Sequence, residues 1–196
     1  MDGKGMQVNH NREGSNMRIG ILVGSLRQES FNRKVAMTLI QLAPKPLEMG
    51  LIEIGNLPFF NQDIEATPPK EWVDFRKKLA DLDGFILVTP EYNRSVPAVL
   101  KNALDVGSRP YGKNLWNTKP CAIVSASIGA IGGFGANHHL RQSLVFLNAP
   151  CMHQPEVYLS AVDKLFDEKG EMNTATKGFL GQFMQAYASW LQVNTR

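Results

Sequence analysis

Residues 83–97, DGFILVTPEYNRSVP, decide the fold. From Phe85 to Val88 the stretch is apolar without alternation, the pattern of a strand covered on both faces. Pro90 ends it, and a polar loop carrying Tyr92 and closing at Pro97 follows at once. A strand buried on both sides belongs to a parallel sheet wrapped by helices. Helix and strand should therefore alternate on either side of it.

They do. MRIGILVG (17–24) is a β-branched run ending in glycine. FNRKVAMTLIQLA (31–43) puts Val35, Ala36, Leu39, Ile40 and Ala43 on one helical face, and Pro44 and Pro46 stop it. LEMGLIEI (47–54) reads as a weaker strand running into the loop GNLPFFNQD (55–63). Thr67, Pro68 and Pro69 open a helix whose inner stripe is Trp72, Phe75, Leu79 and Leu82. After the central strand at 83–90, Ser95 reads as the N-cap of a helix over 95–107, with Pro97 in its first turn. KPCAIVSAS (119–127) is a fourth strand, and a glycine-rich loop leads from it to a helix around 137–148. A short fifth strand lies within 150–159. Phe179, Leu180, Phe183, Met184, Tyr187, Trp190 and Leu191 stripe a last helix. The expectation is one α/β domain over 17–196, a doubly wound five-stranded parallel sheet with helices on both faces. Residues 1–16, polar and without an apolar core, read as a disordered N-terminal extension or a cloning remnant.

Composition narrows the function. A chain of 196 residues with 43% apolar and 20% charged residues has the makings of a full core. Its net charge of +3 is scattered, with no dense Lys/Arg block, which argues against a nucleic-acid partner. No apolar run reaches the length of a membrane span. Cys121 and Cys151 each sit beside a proline in or next to an apolar run and read as buried structural thiols. The cytoplasm is the expected compartment.

In such a sheet ligands bind beyond the carboxyl ends of the strands. Polar loops follow strands one, three and four, so all of them emerge on one edge. The loop over 24–32 opens a helix and presents unpaired N–H groups, with Ser25, Ser30 and Asn32 as further donors and Arg27 as a cation suited to phosphate. An ordinary capped helix, with Ser30 as N-cap and Arg27 in solvent, is the alternative. Neither G-x-x-x-x-G-K-[ST] nor G-x-G-x-x-G is present, which favours a phosphate monoester over a pyrophosphate. The proline-stiffened loop over 90–97 can hold a flat polar heterocycle by its edge, with Tyr92 as a wall; a plain turn with a surface tyrosine is its alternative. The loop after Ser125 has glycines at 129, 132, 133 and 135 that permit close backbone approach, or it is simply flexible.

GSLRQESFN, LPFFNQD, TPEYNRSVPAVLKNALD and SIGAIGG together resemble the NAD(P)H-dependent FMN reductase family of the flavodoxin-like fold, and within it the chromate/quinone reductase group. The likeness runs from Arg18 to Val193. It implies FMN as cofactor, with its phosphate against Ser25, Arg27, Ser30 and Asn32. Its ring would lie along Pro90, Glu91, Tyr92, Asn93 and Ser95, and Ser125, Gly129 and the following loop would close the far side. NADPH or NADH would be the donor, and quinones, chromate or similar small molecules the acceptors, in a ping-pong cycle without a catalytic side chain. The resemblance further implies a homodimer or homotetramer in which a neighbouring subunit helps build the site. A flavodoxin-type electron carrier is the alternative, but flavodoxins are acidic, and R-x-x-S at 27–30 matches the reductases.

Other chemistry finds little footing. His138 and His139 are adjacent on a helix, about 100° apart, and cannot chelate one metal. Ser125 and Ser127 lack the G-x-S-x-G elbow of a hydrolase. Arg109 and Glu156 are either partners across a subunit interface or solvated charges, and Trp72 and Trp190 read as core.

Overall fold

Successive side chains of a strand point to opposite faces, so a continuously apolar strand feeds two cores at once. The computed structural model, which describes residues 16–195, has this arrangement; the extension expected over 1–16 lies, Asn16 apart, outside the described residues. β1 (Met17–Val23) sends Ile19, Ile21 and Val23 to one side and Leu22 to the other. β3 (Gly84–Thr89) divides Ile86 and Val88 from Phe85 and Leu87, and β4 (Cys121–Ala126) divides Ala122 and Val124 from Cys121 and Ile123. On the first side lie α1 (Phe31–Gln41) and α5 (Thr174–Asn194), packed through residues such as Leu39, Phe183 and Tyr187. On the second lie α2 (Lys70–Ala80), α3 (Ala98–Gly107) and α4 (Phe134–Phe146), through Phe75, Leu104 and Leu140. With β2 (Leu47–Leu51) and β5 (Val157–Leu159) the sheet has five strands, all parallel, in the order β2-β1-β3-β4-β5. That is the flavodoxin-like order, with its switch point between β1 and β3.

Two boundaries differ from those read off the sequence. α3 begins at Ala98 with Pro97 at its N-cap and no side-chain cap, so Ser95 is not the cap. Asn93 and Arg94 both have positive φ (51° and 63°), and Tyr92 and Ser95 exchange backbone hydrogen bonds around them. A tight turn of that kind removes Ser95 from the helix start. α4 begins earlier than expected, at Phe134, because a left-handed glycine pair, Gly132 (φ 58°) and Gly133 (φ 78°), delivers the chain into it.

The centre of the second core is Trp116, fully buried, its indole N–H donating to the Leu104 carbonyl at 2.9 Å. Only glycine fits at 107, since a Cβ there would stand 2.6 Å from the indole ring. The two thiols face each other where β4 begins: Cys121 is buried as expected, whereas Cys151 is half-buried. Burial pushes the Cys121 thiol up, while the hydrogen bond with Cys121 and then the Arg141 guanidinium draw Cys151 down.

Candidate functional site

The loops after β1, β3 and β4 meet on one edge of the sheet, and each is fastened to another. Gly24 N–H donates to the Val88 carbonyl at 2.8 Å, and a Cβ at Gly24 would stand 3.2 Å from Pro90 and from Leu100. The first corner is thereby seated on the second. Asn32 Nδ2 donates to the Ala126 carbonyl at 3.2 Å, which joins the first corner to the third. Glu91 reaches from the second corner to the start of α4, with Oε2 accepting from Gly135 N–H at 2.7 Å and Ala136 N–H at 3.2 Å.

Within the first corner Ser30 is the N-cap of α1, its Oγ accepting from Arg33 N–H at 3.2 Å. Ser30 thus has the capping role that the alternative reading gave it, and capping uses its oxygen as acceptor while its O–H remains a donor. Arg27 is exposed and makes no ion pair with a described residue, whereas Arg33 is bound to Glu53 at 2.9 Å. Ser25 is half-buried. Asn32 is buried, and its Oδ1 has no hydrogen-bond partner among the described residues. A buried acceptor left open is unfavourable unless a ligand or water supplies a donor.

In the second corner Pro90 is buried, Glu91 half-buried, and Tyr92 lies 46% exposed at the mouth. The N–H groups of Asn93 and Arg94 at the tip of the turn have no backbone partner among the described residues. Ser95 Oγ lies 3.0 Å from His139 Nδ1 on α4. His138 points elsewhere, its Nε2 3.0 Å from the Tyr158 hydroxyl, so the two histidines do diverge. Burial, and then Glu156, push that hydroxyl up to about 12, and it stays protonated.

The third corner is pinned rather than loose. Ser127 N–H donates to the Leu159 carbonyl at 3.0 Å, and Ser160 Oγ donates to the Ala130 carbonyl at 2.7 Å. Gly129 is exposed, and its N–H donates to Ser127 Oγ. The Ser125 hydroxyl is fully buried, donating to the Val157 carbonyl and accepting from Asn137 Nδ2, both at 3.3 Å. Asn137 in turn accepts from Arg141 Nε at 3.1 Å. The Ser125 hydroxyl is therefore engaged inside the chain, and its backbone lies within the sheet between β3 and β5.

Beside this edge the loop after β2 is held by a residue that sequence reading passed over. Asn102 of α3 is buried, accepts from Phe60 N–H at 2.8 Å and donates to the Leu57 and Pro58 carbonyls. Phe60 stacks on Trp72, the Arg109 guanidinium lies over the Phe60 ring 5.4 Å from its centroid, and Phe59 is left 73% exposed. Arg109 has its partner inside the chain, bidentate to Glu65 at 2.7 and 2.9 Å, and Glu156 faces Arg141 at 3.7 Å. Asn102→Ala leaves several backbone groups of the loop unpaired at once, so about 2–4 kcal/mol of stability is expected to go, as measured by urea unfolding.

The family model described as NADPH-dependent FMN reductase matches residues 17–164. The chain belongs to that family. NADPH-dependent FMN reductases are oxidoreductases, and this one has FMN as cofactor and NAD(P)H as donor. A quinone reductase of Pseudomonas putida is 55% identical over 177 residues, covering 90% of this chain and 95% of that protein. Among solved structures, the FerB flavoenzyme NAD(P)H:(acceptor) oxidoreductase of Paracoccus denitrificans superposes with a TM-score of 0.86 at 34% identity, covering 92% of this chain and all of that one. A flavodoxin of Pseudomonas aeruginosa shares the fold at a TM-score of 0.55 and 18% identity, covering 88% of this chain and 99% of that one. The reductase reading is accordingly better supported than the carrier. The residues present suit FMN: the Asn32 Oδ1 left open among the described residues matches a hydroxyl donor, the start of α1 with Arg27 matches a phosphate, and the amides at 93 and 94, without a backbone partner among the described residues, match a polar ring edge.

Proposed function

We propose that this reductase passes electrons from NADPH or NADH to quinones, with chromate and similar small molecules as further acceptors. Ser25, Arg27, Ser30 and Asn32 would hold the FMN phosphate and its adjoining hydroxyls. Pro90, Glu91, Tyr92, Asn93 and Ser95 would flank the ring on one side, and Ser125 and Gly129 with their loop on the other. The observation that carries the reading is the fastening of the three corners to one another around the open acceptor of Asn32. When bound, FMN supplies the redox chemistry, taking electrons from the nicotinamide and releasing them to the acceptor. The protein's part is to bind, orient and shield. Arg27 and the N-terminal amides of α1 neutralise the phosphate, and the stiff turn at 92–95 presents its amides with little reorganisation on binding. Tyr92, half-exposed at the mouth, walls the face on which donor and acceptor alternate. We also propose that the protein is cytoplasmic and that it forms a homodimer or homotetramer; the assembly is supported by Phe59, held out into solvent beside the fastened Phe60. Among the described residues no helix is long and apolar enough to cross a membrane.

An anaerobic absorbance scan tests the proposal. Bands at about 450 nm in the FMN-loaded protein should bleach within seconds of adding NADPH or NADH and return on adding benzoquinone. Bands that neither nucleotide bleaches overturn it in favour of the carrier.

A further inference from the structure

We propose that Glu91 is a positioning residue whose carboxylate locks the corner at 90–95 to the first turn of α4, so that both walls of the ring site move as one body. The inference rests on the reading that these two corners flank FMN. Its starting point is a helix without a cap of its own. Gly133 holds the N-cap position of α4 in a left-handed conformation and has no side chain to offer the first-turn N–H groups. The missing cap comes from a residue more than forty positions away in sequence: Glu91 Oε2 takes the Gly135 and Ala136 N–H groups, at 2.7 and 3.2 Å. Oε1 takes Arg94 Nη1 at 3.1 Å, and the Glu91 side chain is only 8% exposed. A buried carboxylate with both oxygens engaged by donors of its own chain is directed at the protein, not at a ligand. It also lies where a helix dipole favours negative charge.

The fit leaves no slack. A Cβ at Gly135 would stand 3.0 Å from Glu91 Oε2 and 2.9 Å from the Arg94 carbonyl, so the close approach of the turn to the helix requires glycine there. One helical turn on, His139 meets Ser95 at 3.0 Å and fastens the other limb of the same turn. Without Glu91 the first turn of α4 loses its cap, and the Ser95–His139 contact is left to tie the turn to the helix.

The test is a double-mutant cycle on FMN affinity, read by quenching of flavin fluorescence, with visible circular dichroism of the bound flavin and melting of the apoprotein alongside. Glu91→Ala and Gly135→Ala should each raise the Kd about tenfold, and Glu91→Gln, which keeps an acceptor oxygen, about threefold. Each should flatten the visible dichroism while the apoprotein still melts cooperatively. The double variant should bind no more than about twofold more weakly than the weaker single, because both changes break one contact. If Glu91→Ala does not fold, Glu91→Gln takes its place in the cycle. Single variants within about twofold of wild type, or a double variant whose loss is the product of the two, overturn the proposal. Failure of the wild-type protein to bind FMN would instead overturn the reading on which it rests.

Discussion

Replacing Arg27 with alanine is expected to raise the Kd for FMN about thirtyfold and to leave that for riboflavin unchanged. Arg27 is exposed, makes no ion pair with a described residue, and stands at the corner where α1 begins. A guanidinium held there is available to a phosphate dianion, and a hydrogen bond to a charged group contributes about 1.5–3 kcal/mol. Riboflavin lacks the phosphate and serves as the internal control. Because Arg27 makes no ion pair with a described residue and is exposed, the apoprotein should melt within about 2 °C of wild type. Raised salt should weaken FMN binding to the wild type more than to the variant. Isothermal titration with both flavins decides the matter. An FMN Kd within about threefold of wild type would remove the phosphate from this loop.

The largest loss of stability is expected from Trp116→Ala. The ring is fully buried, 4.8 Å from Phe85 between centroids and 6.3 Å from Phe75, and its N–H satisfies the Leu104 carbonyl. Truncation opens a cavity in the middle of the second core, which in comparable sites costs about 3–5 kcal/mol. It also leaves the buried Leu104 carbonyl unpaired. For a chain of this size that corresponds to a fall in Tm of about 10 °C or more. Below the new transition FMN affinity should be unchanged, since the partners of Trp116, namely Leu104, Phe75, Phe85 and Gly107, lie in the second core and not in the three corners. The two variants thus separate site from scaffold. A Trp116→Ala protein melting within about 3 °C of wild type would mean that the core collapses around the gap.

The fold was legible because the central strands are apolar without interruption, and such strands are stable only between two layers of helix. The placing of the loops after β1, β3 and β4 on one edge followed from that alone. What the sequence concealed is how those loops are joined. Ser95 has the composition of an N-cap, yet the positive-φ pair Asn93–Arg94 turns the chain back before the helix and sends Ser95 to His139. Composition does not reveal φ at non-glycine positions. Asn32 stood out as a polar residue in the first loop and Glu91 entered through the family resemblance, but their partners, Gly135 for Glu91 and Ala126 for Asn32, are backbone groups far along the chain. Backbone groups carry no residue-type signal, so contacts of this kind are invisible until the fold exists. Asn102 was missed for the same reason: on the helix stripe it reads as an ordinary polar residue, and its partners are the backbone of a loop more than forty positions earlier.

The bond from Asn32 to the carbonyl of Ala126 spans 94 residues, and it has a bearing on how the protein is made. On a translating ribosome the loop that follows β1 emerges early, but the carbonyl that orients its asparagine arrives only with the end of β4, and the glycine turn into α4 later still. Domains fold as units once their parts are available. A nascent chain halted before residue 126 therefore has the first corner and the second, but neither the carbonyl that orients Asn32 nor the turn into α4. If these corners hold the flavin as proposed, the site is completed only late in synthesis, and an unfinished chain is expected to hold no cofactor.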